Sequence, residues 1–449
     1  MTTTVIRPPP GVMSKAVKRN FLALGSGARI IPASGATSIE AGRTSEATSV
    51  PGRPSRSAVD RPVAPASIGS RGVSVAASFA ETADAALDEI LAELGDTADI
   101  GFLLVFVSTR FDPAAVTTGL RRRCPGLPHA GCSTAGEIAP QGLVERALVA
   151  LAFPRADFQI VCAPLRDLSR FGLEEGGELV GDLRRRLLAL VGSDARDLFA
   201  LTLLDGLCRR EEVILSALQR ALHDIPLVGG SCGDDLSFQS TFVLCDGEVM
   251  RDAGLLLLVR SARPFRVFKS DHFEPTNRKL VVTACDADTR IVTELDAEPA
   301  WEAFAAATRI DPAEVDGNAF AAHPLLVRVG GEYYCRSIQK MNDDGSLSFY
   351  CAIDTGVVLT VAETRDMVDA LEDTLAGLDE ELEGLDFVLG FDCVHRRLEA
   401  ESRQMLSRIS DLFRRRRVIG FNTYGEQFNA MHLNHTFTGV AFGREPVAR

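Results

Sequence analysis

Most of the chemistry open to this chain rests on seven histidines, one serine in a glycine turn and ten cysteines. The histidines are His129, His223, His272, His323, His395, His432 and His435, each able to carry a proton or ligate a metal. His432 and His435 sit in Met431-His-Leu-Asn-His435. On an extended strand the period of two sends His432 and Asn434 to one face and Leu433 and His435 to the other, so the two imidazoles should not share an ion. No glutamate adjoins His432 to act as the general base of a zinc protease. His395 follows Phe391-Asp-Cys393 at the end of an apolar run and is the second candidate donor. Cys393 reads as a buried apolar thiol before it reads as a ligand.

The stretch Gly229-Gly-Ser231-Cys-Gly233 fits the nucleophile-elbow pattern. That elbow needs a strand before the serine and a helix after it. Here Asp234-Asp235 follow and lead toward a strand, so a serine hydrolase using Ser231 is the remote reading. No catalytic residue is assigned, and the chain is not read as an enzyme.

This turn has two counterparts. His129-Ala-Gly-Cys-Ser-Thr-Ala-Gly-Glu137 and Gly420-Phe-Asn-Thr-Tyr-Gly-Glu426 superpose on it as Gly, then Ser or Asn two residues later, then Gly and an acid. Gly131, Gly229 and Gly420 align, as do Gly136, Gly233 and Gly425, and Glu137, Asp234 and Glu426. Glycine at these places suggests positive φ or a close backbone approach. Ser133, Ser231 and Asn422 suggest side-chain capping of a turn. The plain alternative to a ligand-binding loop is the tight turn of a repeated α/β unit. Backbone amides there could cradle a phosphate, but no lysine follows any of the turns.

Each turn belongs to a repeated strand–helix–turn–strand unit. The first has an apolar strand over Ile100–Val107, a helix opening at Asp112-Pro113 and closing on Arg121–Arg123, and a second strand over Ala147–Phe153. The second has Leu198–Leu204, a helix near Glu211–Leu222, and strands near Thr241–Leu244 and Gly254–Val259. The third has Phe387–Phe391, a helix near Glu401–Arg416, and Phe437–Phe442. Between the second and third, the alternation over Gly331–Ser337 and Leu347–Ile353 around Asn342-Asp-Asp-Gly345 predicts a β-hairpin. Glu363–Asp386 holds ten acids and one arginine, with leucines on one stripe; it predicts an amphipathic helix whose acidic face is solvated or docks a partner.

Residues 1–72 differ from the rest. They are rich in Pro, Ser, Gly and Ala and hold ten Lys or Arg against three acids, which predicts a disordered basic tail. The formal charge of −13 then leaves the remaining body near −20, which excludes a general nucleic-acid binder. No apolar stretch approaches the roughly 20 residues of a membrane span. The scattered cysteines lack a CxxC pair and read as reduced thiols of a cytoplasmic protein.

At the turns and the C-terminal segment the sequence resembles the FIST sensory family. The matching segments are GCSTAGEI (131–138), VGGSCGDD (228–235), FDCVHRR (391–397), GFNTYGEQF (420–428) and HLNHTFTG (432–439). They stand in the order of a FIST N-terminal half, taken as 73–262, and a FIST C-terminal half, taken as 263–449. The resemblance implies an α/β fold with mixed sheets flanked by helices. The last two segments look most like the nitric-oxide-sensing haem proteins of FIST type (NosP). That subgroup implies haem b, held non-covalently because there is no CxxCH. Under it His432 becomes the candidate iron ligand with His395 as alternative, Arg396, Arg397 and Asn434 nearby, and nitric oxide the signal. Its implied partner is a histidine kinase or a diguanylate cyclase or phosphodiesterase, and a homo-oligomer is compatible with it. Without haem, the family implies an amino acid or other metabolite held by Ser133, Gly136, Glu137, Ser231, Asn422, Tyr424, Gly425 and Glu426.

Overall fold

The computed structural model describes residues 72–192, 196–311 and 317–444. The basic tail expected over residues 1–72 lies outside them, Gly72 apart. Apolar runs without alternation become central strands, buried on both faces as such runs require. The first unit is β1 (Ser74–Ser78), α1 (Ala83–Leu94), β2 (Ile100–Val107), α2 (Pro113–Arg123), β3 (His129–Ser133), a short hairpin of β4 (Glu137–Ala139) and β5 (Gly142–Val144), and β6 (Leu148–Pro154). Asp112 caps α2 by accepting from the Ala114 amide, with Pro113 in the first turn. The second unit repeats the plan as β7 (Phe158–Leu165), α3 (Leu173–Val191), β8 (Leu198–Leu204), α4 (Glu211–Leu222), β9 (Leu227–Ser231), β10 (Val243–Cys245), β11 (Glu248–Met250) and β12 (Gly254–Ser261).

The third unit opens with β13 (Phe265–Ser270) and is then interrupted. The insertion holds β14 (Phe273–Asp286), β15 (Ile291–Leu295), β16 (Glu298–Pro299), α5 (Ala300–Thr308), α6 (Gly317–Ala322), β17 (Leu325–Val329), β18 (Glu332–Cys335), β19 (Ile338–Met341), β20 (Leu347–Phe349) and β21 (Val358–Thr364). The hairpin predicted between the second and third units is two hairpins, β17–β18 and β19–β20, the latter turning at Asn342–Gly345. The unit resumes with α7 (Met367–Glu381), β22 (Leu385–Cys393), α8 (Val394–Ser402), α9 (Leu406–Arg415), β23 (Val418–Thr423), β24 (Glu426–Phe428), β25 (Met431–Leu433) and β26 (Phe437–Gly443). The single helix expected near Glu401–Arg416 is thus the end of α8 and the whole of α9, separated where Gln404 takes a φ of 57°.

Each unit finishes its neighbour's sheet. The first sheet runs β1-β6-β2-β3 and is extended by β10-β11 of the second unit. The second runs β7-β12-β8-β9 and is extended by β24-β25 of the third. The third runs β13-β26-β22-β23 and is extended by β4-β5 of the first, closing a ring. The pairs β2–β3, β8–β9 and β22–β23 are parallel and their other neighbours antiparallel. One face of each of these three sheets contributes to a shared core that includes Phe106, Phe158, Phe199, Phe391, Phe421 and Phe442, while the sheet of the insertion packs on its own core around Phe304 and Phe349. The other faces are covered by α1 and α2, by α3 and α4, and by α7 and α9.

The acidic face of α7 meets the basic face of α9 instead of bulk solvent alone. Arg408 pairs with Asp366 at 3.2 Å, Arg416 with Asp379 at 3.5 Å and Arg415 with Glu372 at 3.9 Å. Such exposed pairs are worth about 0–1 kcal/mol each and offset part of the acidic charge of this face. Among the described residues no helix is long and apolar enough to cross a membrane.

Candidate functional site

The three aligned turns converge at the middle of the ring and bond to one another through their backbones. Ala135 N donates to Asn422 O at 3.1 Å and Asn422 N to Gly136 O at 2.8 Å. Ser231 N donates to Gly425 O at 2.8 Å and Tyr424 N to Ser231 O at 3.1 Å. Gly233 N donates to Ser133 O at 3.2 Å, which completes the circle. The repeated residues are therefore brought together, but as the closure of the fold.

Their side chains are spent on that closure. Ser133 Oγ accepts from Phe242 N at 3.0 Å, and Ser231 Oγ accepts from Gln427 Nε2 at 2.9 Å. Ser231 ends β9 with no helix after it and is buried, so the nucleophile-elbow geometry is not formed. Glu137 clamps both ends of its own hairpin, accepting from Thr134 Oγ1 and from Ala147 N at 3.0 Å. Glu426 does the same with Thr423 Oγ1, and with Thr436 N at 3.2 Å and Thr436 Oγ1 at 2.7 Å. Asp234 gathers three amides, from Phe238, Gln239 and Ser240, at 2.6–2.9 Å. Of the second set of glycines only Gly136 has positive φ, at 123°; at Gly425 the constraint is the His432 ring, whose Cε1 would lie 2.2 Å from an added Cβ.

Burial raises the Glu137 carboxyl from 4.5 to about 7, against the pull of the Thr134 and Ala147 donors. Burial likewise raises Glu426 to about 8, against Thr423 and Thr436. Both groups hold their protons more tightly folded than unfolded, so their contribution to stability is complete below pH 4.5 and is lost as pH rises through 7 and 8. Between pH 6.5 and 8, unfolding free energy is expected to fall by about 2 kcal/mol from this source. Urea denaturation across that window should show the decline, and a Glu137→Gln/Glu426→Gln variant should flatten it. An unchanged slope in the variant would assign the decline to other groups.

A cleft of about 400 Å³ opens beside this closure, between the second unit, the insertion and the third unit. The loop Gly206–Arg209 forms one wall, residues 288–291 and 339–350 another, and Val394, His395, Tyr424 and His432 the floor. Its size suits a small ligand or cofactor. His395 lies in the first turn of α8, its ring 4.6 Å from Tyr350 and 4.7 Å from His435; burial lowers its pKa to about 4, so it is neutral near pH 7. His432, on β25, is 3% exposed and its Nδ1 has no hydrogen-bond partner. Tyr424 stacks on Phe238 at 4.6 Å and donates its hydroxyl proton to Asp234.

Other expected contacts lie elsewhere. β25 ends at Leu433 and His435 has a φ of 56°, so the alternation expected over 432–435 does not extend that far. The His435 ring packs behind His395 and beside Phe273. Burial and the neighbouring His395 push its pKa well below the ordinary imidazole range. Arg396 is buried and committed, its Nε donating to Asp392 at 2.8 Å and its Nη1 lying 3.3 Å from His272 Nδ1. Arg397 reaches Glu145 and Asn422. Asn434 is buried with its Oδ1 unpartnered and does not line the cleft.

The cleft adds residues that sequence reasoning missed, chiefly Arg209, Glu211, Arg290, Lys340 and Tyr350. Arg290 bridges the insertion to α4, donating to Glu212 at 2.9 Å and to Arg209 O at 3.1 Å. Glu212 also accepts from Ala352 N at 2.6 Å. Burial would raise the Glu212 carboxyl, but the nearby His432 and Arg290 hold it below the ordinary value. No local pattern marks these residues, because the cleft joins segments far apart in the chain. Among the described residues no group of three or more His, Cys, Asp or Glu side chains is arranged to hold a metal ion.

Comparison with known proteins agrees with this architecture. An uncharacterized protein of Methanocaldococcus jannaschii is 23% identical over 381 residues, covering 76% of this chain and 73% of its own. The FIST N domain matches residues 101–298 and the FIST C domain residues 300–429. These domains are sensory or small-ligand-binding modules, generally non-enzymatic, and they include every segment that lines the cleft except His432. With its two domains in this order, the chain belongs to the FIST family.

Proposed function

We propose that this protein is a small-molecule sensor whose ligand enters the cleft floored by His395 and His432, and that the ligand is haem b sensing nitric oxide. The observation that carries the reading is the pairing of two buried imidazoles in one cleft, one of them with an unpartnered Nδ1. Haem needs a strong axial donor and an apolar slot. The donor set fits: His432 would supply the ligand, His395 a neutral imidazole in the same cleft, and Leu207, Phe238, Ile291, Phe349 and Val394 the apolar walls. Bound iron supplies a coordination position at which a diatomic gas can bind. The protein's part is to orient the donor ring, which packs on Gly425, and to exclude water by burial. Because the walls come from three parts of the chain, a change at the floor can bias their relative positions and so a partner-facing surface. A cytoplasmic histidine kinase or cyclic-di-GMP enzyme is the proposed recipient.

Titrating the purified full chain with haemin tests this. The expected result is a one-to-one Soret band that shifts on reduction and again with nitric oxide. Absence of any such band at stoichiometric haemin overturns it. The second reading, an amino acid or other small anion without haem, draws on the cationic side chains of Arg209, Arg290 and Lys340 on the cleft walls.

A further inference from the structure

The cations around the cleft are not equivalent. Arg290 is neutralised, with Glu212 at 2.9 Å and Glu211 at 3.4 Å. Arg209 and Lys340 also line the cleft, from the second unit and the insertion, and neither side chain has an ion pair or hydrogen bond among the described residues. What distinguishes them from the other unpaired cations, such as Arg121, Arg170 and Arg220, is that both line the cleft, in a body of net charge near −20. The backbone of Arg209 is also held in place, with its side chain exposed. Its φ is 54°, a conformation costing about 1 kcal/mol or more for a side-chain-bearing residue. Arg290 bonds its carbonyl, and Asp205 fixes the loop by accepting from Leu207 N at 2.9 Å and Thr241 Oγ1 at 2.6 Å. The acids on the cleft lining are Glu211, already paired, and the exposed Asp288.

We infer that Arg209 and Lys340 form a carboxylate-binding edge of the cleft, facing the imidazole floor across its apolar walls. The ligand class is a molecule with an apolar or aromatic body and at least one carboxylate. The inference deepens the proposed function but does not depend on haem. The carboxylate can be a porphyrin propionate or that of a free small acid, and guanidinium and ammonium groups recognise both through charge-assisted hydrogen bonds.

The test compares the full-length wild type with an Arg209→Gln/Lys340→Gln variant, which should melt at the same temperature because neither side chain has a partner to lose. Both are titrated with haemin and with haemin dimethyl ester, which lacks the free carboxylates. The expected result is an affinity for haemin about tenfold lower in the variant, with the ester bound alike by both proteins. If wild type binds no haemin, the haem reading fails, and thermal-shift titrations with succinate and L-glutamate replace it. Stabilisation of wild type but not of the variant then supports the edge with a small acid as its ligand. The inference is overturned if haemin and its ester lose affinity equally, or if no carboxylate probe distinguishes the two proteins.

Discussion

Gly420→Ala is expected to prevent folding or to lower stability by at least about 3 kcal/mol, more than ordinary overpacking costs. An added Cβ at this position would lie 1.7 Å from the carbonyl oxygen of Gly390, directly opposite on the parallel strand β22. The clashing atom is backbone in the middle of a sheet, so no side-chain rotation relieves it. The strands must part instead, and buried hydrogen bonds go with them. Gly131 and Gly229 hold the same position in the other units, with a Cβ 2.1 Å from Val105 O and 2.0 Å from Thr202 O. Gly377, in α7, is the control: a Cβ there meets nothing within 4 Å. Gly377→Ala should stabilise by about 0.5–1 kcal/mol. Denaturant melts would decide, and a Gly420→Ala protein as stable as wild type would show that the strand contact is not rigid.

The second large effect is expected at His432. Removing its imidazole should cost at least about a hundredfold in haemin affinity, on the scale of lost ligand-shell contacts, with a Soret band that recovers when free imidazole is added. His435→Ala should be far milder, because that ring lies behind His395 and does not line the cleft. If His432→Ala keeps wild-type ferric, ferrous and nitric-oxide spectra while His395→Ala loses them, the donor sits on α8 instead of β25.

The units themselves were legible in the sequence. Asp112-Pro113, the apolar runs such as Ile100–Val107 and the aligned glycines each report a local requirement of cap, buried strand or close approach. The exchange of hairpins was not, because β4, β10 and β24 are three residues long and nothing in Glu137-Ile-Ala139 says which sheet edge it joins. The acids are ambiguous in sequence for a physical reason. A Thr and a Glu three apart in a glycine turn look the same whether they await a ligand or, like Thr134 and Glu137, hold each other. Arg209 and Lys340 carried no signal, since what sets them apart is the cleft they share, a property of the folded surroundings.

The ring has a consequence for how the molecule is made. During synthesis the hairpin Glu137–Val144 emerges long before Val418–Thr423, the strand it must join. At ribosomal speeds of about 5–20 residues per second, that wait is on the order of tens of seconds. Through it the nascent chain carries Ile138 and Leu143 on an uncompleted edge, while β9 waits for β24. Such edges are the surfaces that holdase chaperones shield and that crowded, stalled or overproduced chains use to stick to one another.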